Sequence, residues 1–306
     1  MGREHTRQLD IGRYRTLAIV TTAGICLLVV AGGIVRLTGS GLGCDDWPNC
    51  NATRFIDVSS GHTAVEQINR LLSGLIGIPA VLLAVGSFFV RDRRGLRWPA
   101  VGILVTILAN GVVGGIAVRG DLHPSLVQSH FLLAMASISF GVIAIRRSSP
   151  EPVVFSVSDP WPIVLAVLTG AALATGTVVT GTGPHAGDED VRRFGFDIST
   201  VARIHSVTVL IAIGVALVIA WRVRTTHVRW ASTLSTWMFV ALVQGAVGYV
   251  QYFNEVPELL VGTHIALATA LWVVTMWLAV GSLTETAESA GRRNLDRTRP
   301  PATITG

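Results

Sequence analysis

The sequence contains no lysine, few cysteines and little charge of either sign. Its 24 basic residues are all arginine, charged residues make up 14% of the 306 positions, and 50% of the chain is hydrophobic. This composition excludes an ordinary soluble globular domain and is typical of a membrane protein. Polar stretches are short, so little chain remains for a separate soluble domain.

Long apolar runs occupy most of the chain. A membrane-spanning helix needs about 20 apolar residues to cross a hydrocarbon core of ~30 Å, and eight segments meet this requirement. They are approximately 16–36, 66–90, 98–117, 124–145, 161–181, 200–221, 230–252 and 257–281. We therefore predict an all-α integral membrane protein with eight transmembrane helices.

The arginines cluster on one side of the predicted spans. They precede span one and follow spans two, four, six and eight, whereas the other side carries only Arg36, Arg54, Arg119, Arg192 and Arg193. The positive-inside rule then places both termini in the cytoplasm, as an N-terminal segment 1–15 and a disordered tail 282–306. The formal charge of +5 reflects this orientation and contact with anionic lipid, which argues against nucleic-acid binding.

The two halves of the chain repeat short motifs in the same order. NGVVGG (110–115) in span three matches QGAVGY (244–249) in span seven, and TGSG (38–41) matches TGTG (180–183). Because each half has four spans, both halves insert the same way round. We predict two pseudo-symmetric four-helix bundles, 16–145 and 161–281. The alternative is a similarity that arises from small-residue composition alone.

Three histidines fall inside predicted spans at similar depth. His130 and His264 follow the prolines that open spans four and eight, and His205 lies near the start of span six. At 1.5 Å per residue, all three lie roughly 7–11 Å below the outer surface. Two facing histidines in a bundle suit bis-imidazole ligation of haem iron, which we predict for His205 and His264. Structural histidines or a proton relay are the alternatives.

The matched layer in the first half has a different composition. The position in span two that pairs with His205 is Asn69, and an amide is at best a weak iron ligand. A haem held by His130 would therefore be five-coordinate or exchangeable, as suits a group that reacts or leaves. The sequence has no Cys-x-x-Cys-His motif, so we expect any haem to be bound non-covalently.

Span two opens with charged and polar side chains. Glu66, Asn69 and Arg70 are three and four residues apart and share one helix face. A carboxylate inside a membrane is costly and predicts a functional role for Glu66. The alternative is an ion pair with Arg70 at a water-facing helix end, where the helix dipole favours an acid.

The first outer loop reads CDDWPNC, with five residues between Cys44 and Cys50. The outer face of a bacterial membrane is oxidising, so we predict a disulfide. A redox-active pair and a structural link are equally open. Two thiols without a nearby second pair argue against a metal site, and Cys26 in span one is expected to pack.

Together these motifs resemble the haem A synthase family. The residues that carry the resemblance are GGIVRLTGSGLGCDDWPNC (32–50), EQINR (66–70) and the three histidines, and it extends from about 13 to 281. It implies an eight-helix enzyme of the bacterial plasma membrane that oxidises the C8 methyl of haem O to a formyl group, giving haem A. Asn69, where many relatives have histidine, and the arginine-only basic set resemble an actinobacterial variant.

The resemblance also implies roles for single residues. His205 and His264 would bind the iron of a haem b cofactor, and His130, with Asn69 and Arg70, would bind the substrate haem O. Glu66 matches the family's essential acid, and Cys44 and Cys50 match its outer-loop pair. A second cysteine pair that some relatives carry between spans five and six is missing here.

The implied partners are membrane lipid, haem O synthase (protohaem farnesyltransferase) as haem donor, and the assembly of cytochrome c oxidase as acceptor; self-association is left open. We expect Glu66 to take a proton from attacking water or to stabilise positive charge at the methyl carbon. Arg70 would hold Glu66 ionised or meet a haem propionate.

Two other functions fit parts of the pattern. A non-catalytic dihaem cytochrome would pass electrons from quinol, although Asn69 counts against the two equal bis-histidine sites that it needs. A haem or small-molecule transporter is suggested by the repeat.

Overall fold

The computed structural model describes residues 9–90, 93–150, 153–155, 159–223, 228–282 and 284–286; residues 1–8 and 287–306 of the two predicted terminal segments lie outside this range. In the described part, eight helices are long and apolar enough to cross a membrane, which confirms the predicted all-α membrane architecture. The helices are α1 (Ile11–Leu37), α2 (Gly61–Gly86), α3 (Arg97–Arg119), α4 (Pro124–Arg147), α5 (Trp161–Thr182), α6 (Ile198–Val223), α7 (Val228–Phe253) and α8 (Glu258–Ser282).

Three short elements accompany the helices. A 3₁₀ turn (Arg94–Leu96) precedes α3, and two three-residue strands, β1 (Val153–Phe155) and β2 (Thr284–Thr286), pair antiparallel. Their pairing ties the connection between the two halves to the chain that follows α8.

The start of α2 differs from the predicted span, which began at 66. Ser60 Oγ accepts a hydrogen bond from the backbone N–H of Thr63 (3.2 Å), and Thr63 Oγ1 accepts one from the N–H of Ser60 (2.9 Å). This reciprocal cap satisfies two donors that the first turn would otherwise leave free, so the helix begins at Gly61. Glu66 consequently lies in the second turn of α2 and not at its mouth.

The eight helices pack as two rings of four. In the first ring α1, α2, α3 and α4 contact one another in succession and α4 closes on α1; α5 to α8 repeat this pattern. The rings meet where α8 contacts α4 and α1, and where α4 contacts α5. A repeat in which α1 corresponds to α5 and α4 to α8 predicts this set of contacts, because exchanging the halves leaves it unchanged.

Each ring has its own apolar core, and hydrogen bonds join the rings. The first core includes Tyr14, Ile103 and Met135, and the second is built around Trp237. Across the junction, the indole N–H of Trp272 on α8 donates to the backbone carbonyl of Met135 on α4 (2.9 Å). A buried indole needs such an acceptor, so this contact fixes how α8 lies against α4.

The connections between paired helices pack against one another at one end of the bundle. Leu122, Ala186 and Val191 form a small apolar cluster, and the N–H of Gly41 donates to the carbonyl of Gly187 (2.9 Å). Gly187 has a φ of +108°, a conformation that favours glycine. We call the end formed by connections 38–60, 120–123, 183–197 and 254–257 the loop face.

Apolar side chains cover the outside of the helices. Leu75 and Leu82 of α2, Leu217 of α6 and Phe239 of α7 each expose more than half of their surface. Hydrocarbon solvates such side chains, while helices satisfy their own backbone hydrogen bonds. The chain is therefore a multi-pass membrane protein.

Close packing of α1 on α4 depends on Gly141, because a β carbon at this position would collide with Thr22. We expect Gly141→Val to destabilise the protein by about 1–3 kcal/mol through overpacking, measured as a lower Tm in detergent. Gly214→Val is the matched control, since a β carbon there meets nothing within 4 Å. Equal losses in the two variants would contradict this contact.

Candidate functional site

A cavity of about 1410 Å³ extends through both rings and is lined by side chains from all eight helices. Its lining includes every predicted binding residue of the two halves, namely Glu66, Asn69, Arg70, His130, His205 and His264. The predicted cysteines lie outside the cavity, in the loop that packs against Glu66. The fold thus brings together residues that are separated by up to two hundred positions in sequence.

His130 projects from α4 into the cavity. Its Nδ1 lies 3.1 Å from the backbone carbonyl oxygen of Asn110 on α3. A carbonyl can only accept, so Nδ1 carries the proton and Nε2 is left as the metal-binding nitrogen. A β carbon on Gly114 would lie 3.0 Å from Cε1 of His130, so the glycine lets the ring lie close to α3.

Inside the second ring of helices, the imidazoles of His205 and His264 face each other. Their centroids lie 6.4 Å apart and their planes make an angle of 71°. Each ring also packs against a glycine. A β carbon on Gly176 would lie 3.1 Å from Cε1 of His205, and one on Gly248 would lie 3.0 Å from Cε1 of His264. Gly248 occupies the position in QGAVGY that Gly114 occupies in NGVVGG, so the matched motifs have the same contact.

The histidine pair fits an iron porphyrin. Two imidazoles that bind one iron from opposite sides place their ring centres about 6 Å apart, since each metal–nitrogen bond is about 2 Å. Nδ1 of His264 is buried without a hydrogen-bond partner among the described residues. Nδ1 of His205 lies 3.2 Å from Thr175 Oγ1. This contact orients the ring, as outer-shell partners do at metal sites.

Clusters of three or more His, Cys, Asp or Glu side chains that could hold a bare metal ion are absent from the described ranges. His205 and His264 would hold the iron of a porphyrin, whose own nitrogens would supply further ligands.

Asn69 lies on the cavity wall in the first ring. Its side-chain oxygen is buried and makes no hydrogen bond to any residue that the structure describes, and the same holds for the side-chain oxygen of Asn110. Buried amide oxygens without a donor are costly. Both atoms therefore favour a ligand or water that donates a hydrogen bond on the His130 side of the cavity.

Glu66 is almost fully buried and bonded on both oxygens. Oε1 accepts hydrogen bonds from Nε and Nη2 of Arg70 (3.0 and 2.6 Å), and Oε2 accepts one from the backbone N–H of Cys44 (2.7 Å). The predicted ion pair with Arg70 thus forms, but in the protein interior beside the cavity. Both Arg70 nitrogens donate to the same carboxylate oxygen, and these charge-assisted bonds, together with the one from Cys44, hold the carboxylate in one orientation.

The loop that carries the disulfide is held against α2 and α3. Cys44 and Cys50 form the predicted disulfide, and the peptide bond between Trp47 and Pro48 is cis. Arg70 Nη1 donates to the carbonyls of Asp46 (2.9 Å) and Asn49 (3.0 Å). Arg119 of α3 donates to Asp46 Oδ1 (3.1 Å) and to the carbonyl of Trp47. The disulfide loop therefore covers Glu66 on the loop face.

Sequence reasoning missed several residues of this site. Trp47 of the disulfide loop lies against Gly115, where a β carbon would meet its indole. Asn110 supplies the carbonyl for His130, and Arg36 lines the cavity from α1. The repeated NGVVGG and QGAVGY motifs were the available signal for Asn110 and the glycines. Arg36 and Trp47 carried no comparable signal outside the resemblance.

Comparison with known proteins gives matches to part of the chain. Residues 15–67 match the model of a family described as COX15-CtaA, cytochrome oxidase assembly protein. Over 178 residues the chain is 27% identical to "Heme A synthase" of Shouchella clausii (strain KSM-K16), covering 55% of this chain and 59% of that relative. Over 125 residues it is 30% identical to "Heme A synthase" of Bacillus cereus (strain AH187) and of Bacillus anthracis (strain A0248), covering 40% of each protein. The chain thus spans 59% or less of these relatives' lengths.

The disulfide loop should loosen in acid. The pKa of Asp46 is held below its usual range, first by the hydrogen bond from the N–H of Trp47 and then by Arg119. A carboxyl whose pKa is lower in the folded state stabilises the fold above its unfolded value of about 4. This contribution is lost as the pH falls through the folded-state pKa. We expect amide exchange in 44–50, corrected for intrinsic rates, to show reduced protection below about pH 4.

Asp46→Asn tests this assignment, because the variant should be less protected at pH 6 and should show no further loss in acid. Asp45→Asn is the control and should behave like the wild type. An acid step that persists in Asp46→Asn would show that another group is responsible.

Proposed function

We propose that the chain is a haem A synthase of the COX15-CtaA family, whose model matches residues 15–67, and that it is an oxidoreductase that converts the C8 methyl group of haem O to a formyl group. The observation that carries this proposal is one cavity with histidines in matched surroundings in both halves and, among the residues that the structure describes, buried carboxylates in the first half only. The relatives' printed name supports the same activity.

The second half would hold the cofactor, haem b. His205 and His264 would bind its iron through Nε2, and the contacts of Gly176 and Gly248 would keep both rings in place. When bound, such a haem supplies one-electron redox chemistry. The role of the chain is to exclude other ligands and to keep the two imidazoles in opposition.

The first half would hold the substrate, haem O. His130 would bind its iron from one side, and Asn69 lines the same half of the cavity. Because an amide is a poor iron ligand, this site would release its haem more readily than the histidine pair. Exchangeable binding is what a substrate site requires, whereas a cofactor site benefits from two strong ligands.

The repeat supports an assignment of the chemistry to the first half. Aligning Asn69 with His205 places Ala202 opposite Glu66 and Ser206 opposite Arg70. Both counterparts line the cavity but carry neither an acid nor a base. At these two positions the second half therefore has no counterpart of the Glu66–Arg70 ion pair.

Glu66 is the residue that we propose as the general base. Each hydroxylation would remove two electrons and two protons in total from the methyl group and one water, with the electrons passing to an external one-electron acceptor. The Glu66 carboxylate would accept the proton of the attacking water, or stabilise positive charge at the carbon as its C–H bond breaks. Arg70 and the N–H of Cys44 hold its oxygens, so the group needs little reorganisation during the reaction. The disulfide loop would exclude bulk water from this end of the cavity.

The chain would lie in the bacterial plasma membrane and act between two partner systems. Arginines concentrated at the end opposite the loop face would place both termini in the cytoplasm of a bacterial cell. Haem O synthase would supply the substrate, the assembly of cytochrome c oxidase would consume the product, and surrounding lipid would cover the apolar helix faces.

Product analysis tests the activity. Cells that make haem O should accumulate haem A when they express this chain, seen as the formyl shift in the reduced pyridine spectrum of extracted haems. A dihaem cytochrome or a transporter would give no formyl product, so its absence with correctly inserted protein would refute the proposal.

Glu66→Gln should reduce haem A formation by about a hundredfold or more, because loss of a general base typically costs 10²–10⁴-fold. Glu258→Gln, at the exposed start of α8, is the control. The Tm of both variants shows whether a lower rate reflects a chemical role of Glu66 or its role in anchoring the disulfide loop. A normal rate in Glu66→Gln would exclude Glu66 as the base.

His264→Ala should abolish the low-spin bis-histidine spectrum of the purified protein, because the iron loses one of two strong ligands. Gly248→Val should weaken the same spectrum, since its side chain displaces the ring. His123→Ala, in the loop face outside the cavity lining, should leave the spectrum intact. An unchanged spectrum in His264→Ala would overturn the cofactor assignment.

A further inference from the structure

Arg36 lies where the two halves of the protein meet. It is close to the end of α1, and its side chain crosses to the second half. Nε donates to the carbonyl of His185 (2.5 Å) and Nη2 to the carbonyl of Thr180 (2.7 Å). The guanidinium is largely enclosed by protein and also lines the cavity.

The positive charge of Arg36 is not balanced by the protein around it. Both of its hydrogen-bond acceptors are neutral carbonyls. None of the described carboxylates forms an ion pair with Arg36, and this includes Asp188 and Glu189 of the adjacent loop. Arg193, held by the carbonyls of Val191 and Pro184, adds repulsion from a second positive charge.

An enclosed guanidinium with only neutral partners is costly and favours an anion. Arginine has five N–H donors in a planar fork that fits a carboxylate. Two of its nitrogens are already bonded to carbonyls, which leaves donors on the remaining amino group. These carbonyls also hold the side chain in a defined orientation at the cavity wall.

The position of Arg36 relates it to the histidine pair of the second half. Thr180, whose carbonyl it binds, is one helical turn from Gly176, which lies against His205. On the other side, a β carbon on Gly262 would lie 3.3 Å from Leu37, and Gly262 precedes His264 by two residues. Arg36 therefore lies between α5 and α8, on the loop-face side of the two imidazoles.

We propose that Arg36 binds a carboxylate of the porphyrin that lies between His205 and His264. This inference rests on the proposed haem site and adds a residue from the first half to the cofactor of the second half. The TGSG and TGTG alignment places Val178 at the position equivalent to Arg36. The repeat therefore provides this cation once, at the junction, where it couples cofactor binding to the association of the halves.

The test compares iron protoporphyrin IX with its dimethyl ester, in which both carboxylates are neutral. Each is titrated into detergent-solubilised apoprotein, and the low-spin absorbance of the bis-histidine site reports binding. We expect the wild type to prefer the free acid by about tenfold or more, as for a charge-assisted hydrogen bond. Arg36→Gln should lose most of this preference, and Arg36→Lys should retain part of it.

Arg54→Gln removes a positive charge from an exposed loop position outside the cavity lining, so it should keep the wild-type preference. Partition into detergent cancels because only ratios within one detergent are compared. Equal affinity of the wild type for the acid and the ester would overturn the inference, even if Arg36→Gln failed to fold. An equal preference in wild type and Arg36→Gln would do the same. Failure of the wild type to bind either porphyrin would instead remove the proposed cofactor site itself.

Discussion

The contact between each cavity histidine and a glycine of the neighbouring helix is the constraint on which the site depends. Gly114, Gly176 and Gly248 allow His130, His205 and His264 to lie against the adjacent helix, and a β carbon at any of the three would crowd the imidazole. Small residues at membrane helix contacts permit close approach. Here that approach determines which way the imidazoles point, and an imidazole that pointed elsewhere would not line the cavity.

A second constraint acts on the first half only. Arg70 bonds Glu66 and two carbonyls of the disulfide loop, while Cys44 donates its N–H to the same carboxylate. The helix α2 and the disulfide loop are therefore joined through one buried ion pair. The two rings share an architecture, but the positions that carry Glu66 and Arg70 in the first are Ala202 and Ser206 in the second.

Much of the fold and part of the candidate site could be predicted from the sequence. Hydrophobic runs indicated eight helices because hydrocarbon admits few alternatives to a helix, and equal spacing from helix starts placed the three histidines at one depth. The start of α2 was misplaced by five residues, since the span was read from hydropathy and the helix begins at the Ser60 cap. Hydrogen-bond acceptors of the imidazoles, such as the backbone carbonyl of Asn110, could not be predicted, because every residue type has a backbone carbonyl.

The sequence by itself determined that this protein lies in a membrane and how many long apolar helices it has in the described part of the chain. It also determined which residue types are available to bind a metal or transfer a proton, because all of these follow from composition and local periodicity. Tertiary structure alone decided that His205 and His264 face each other 6.4 Å apart, that Glu66 is enclosed by the disulfide loop, and that Arg36 reaches the other half. Such contacts join positions far apart in the chain, and they depend on how helices rotate and approach, which the local pattern of residues does not specify.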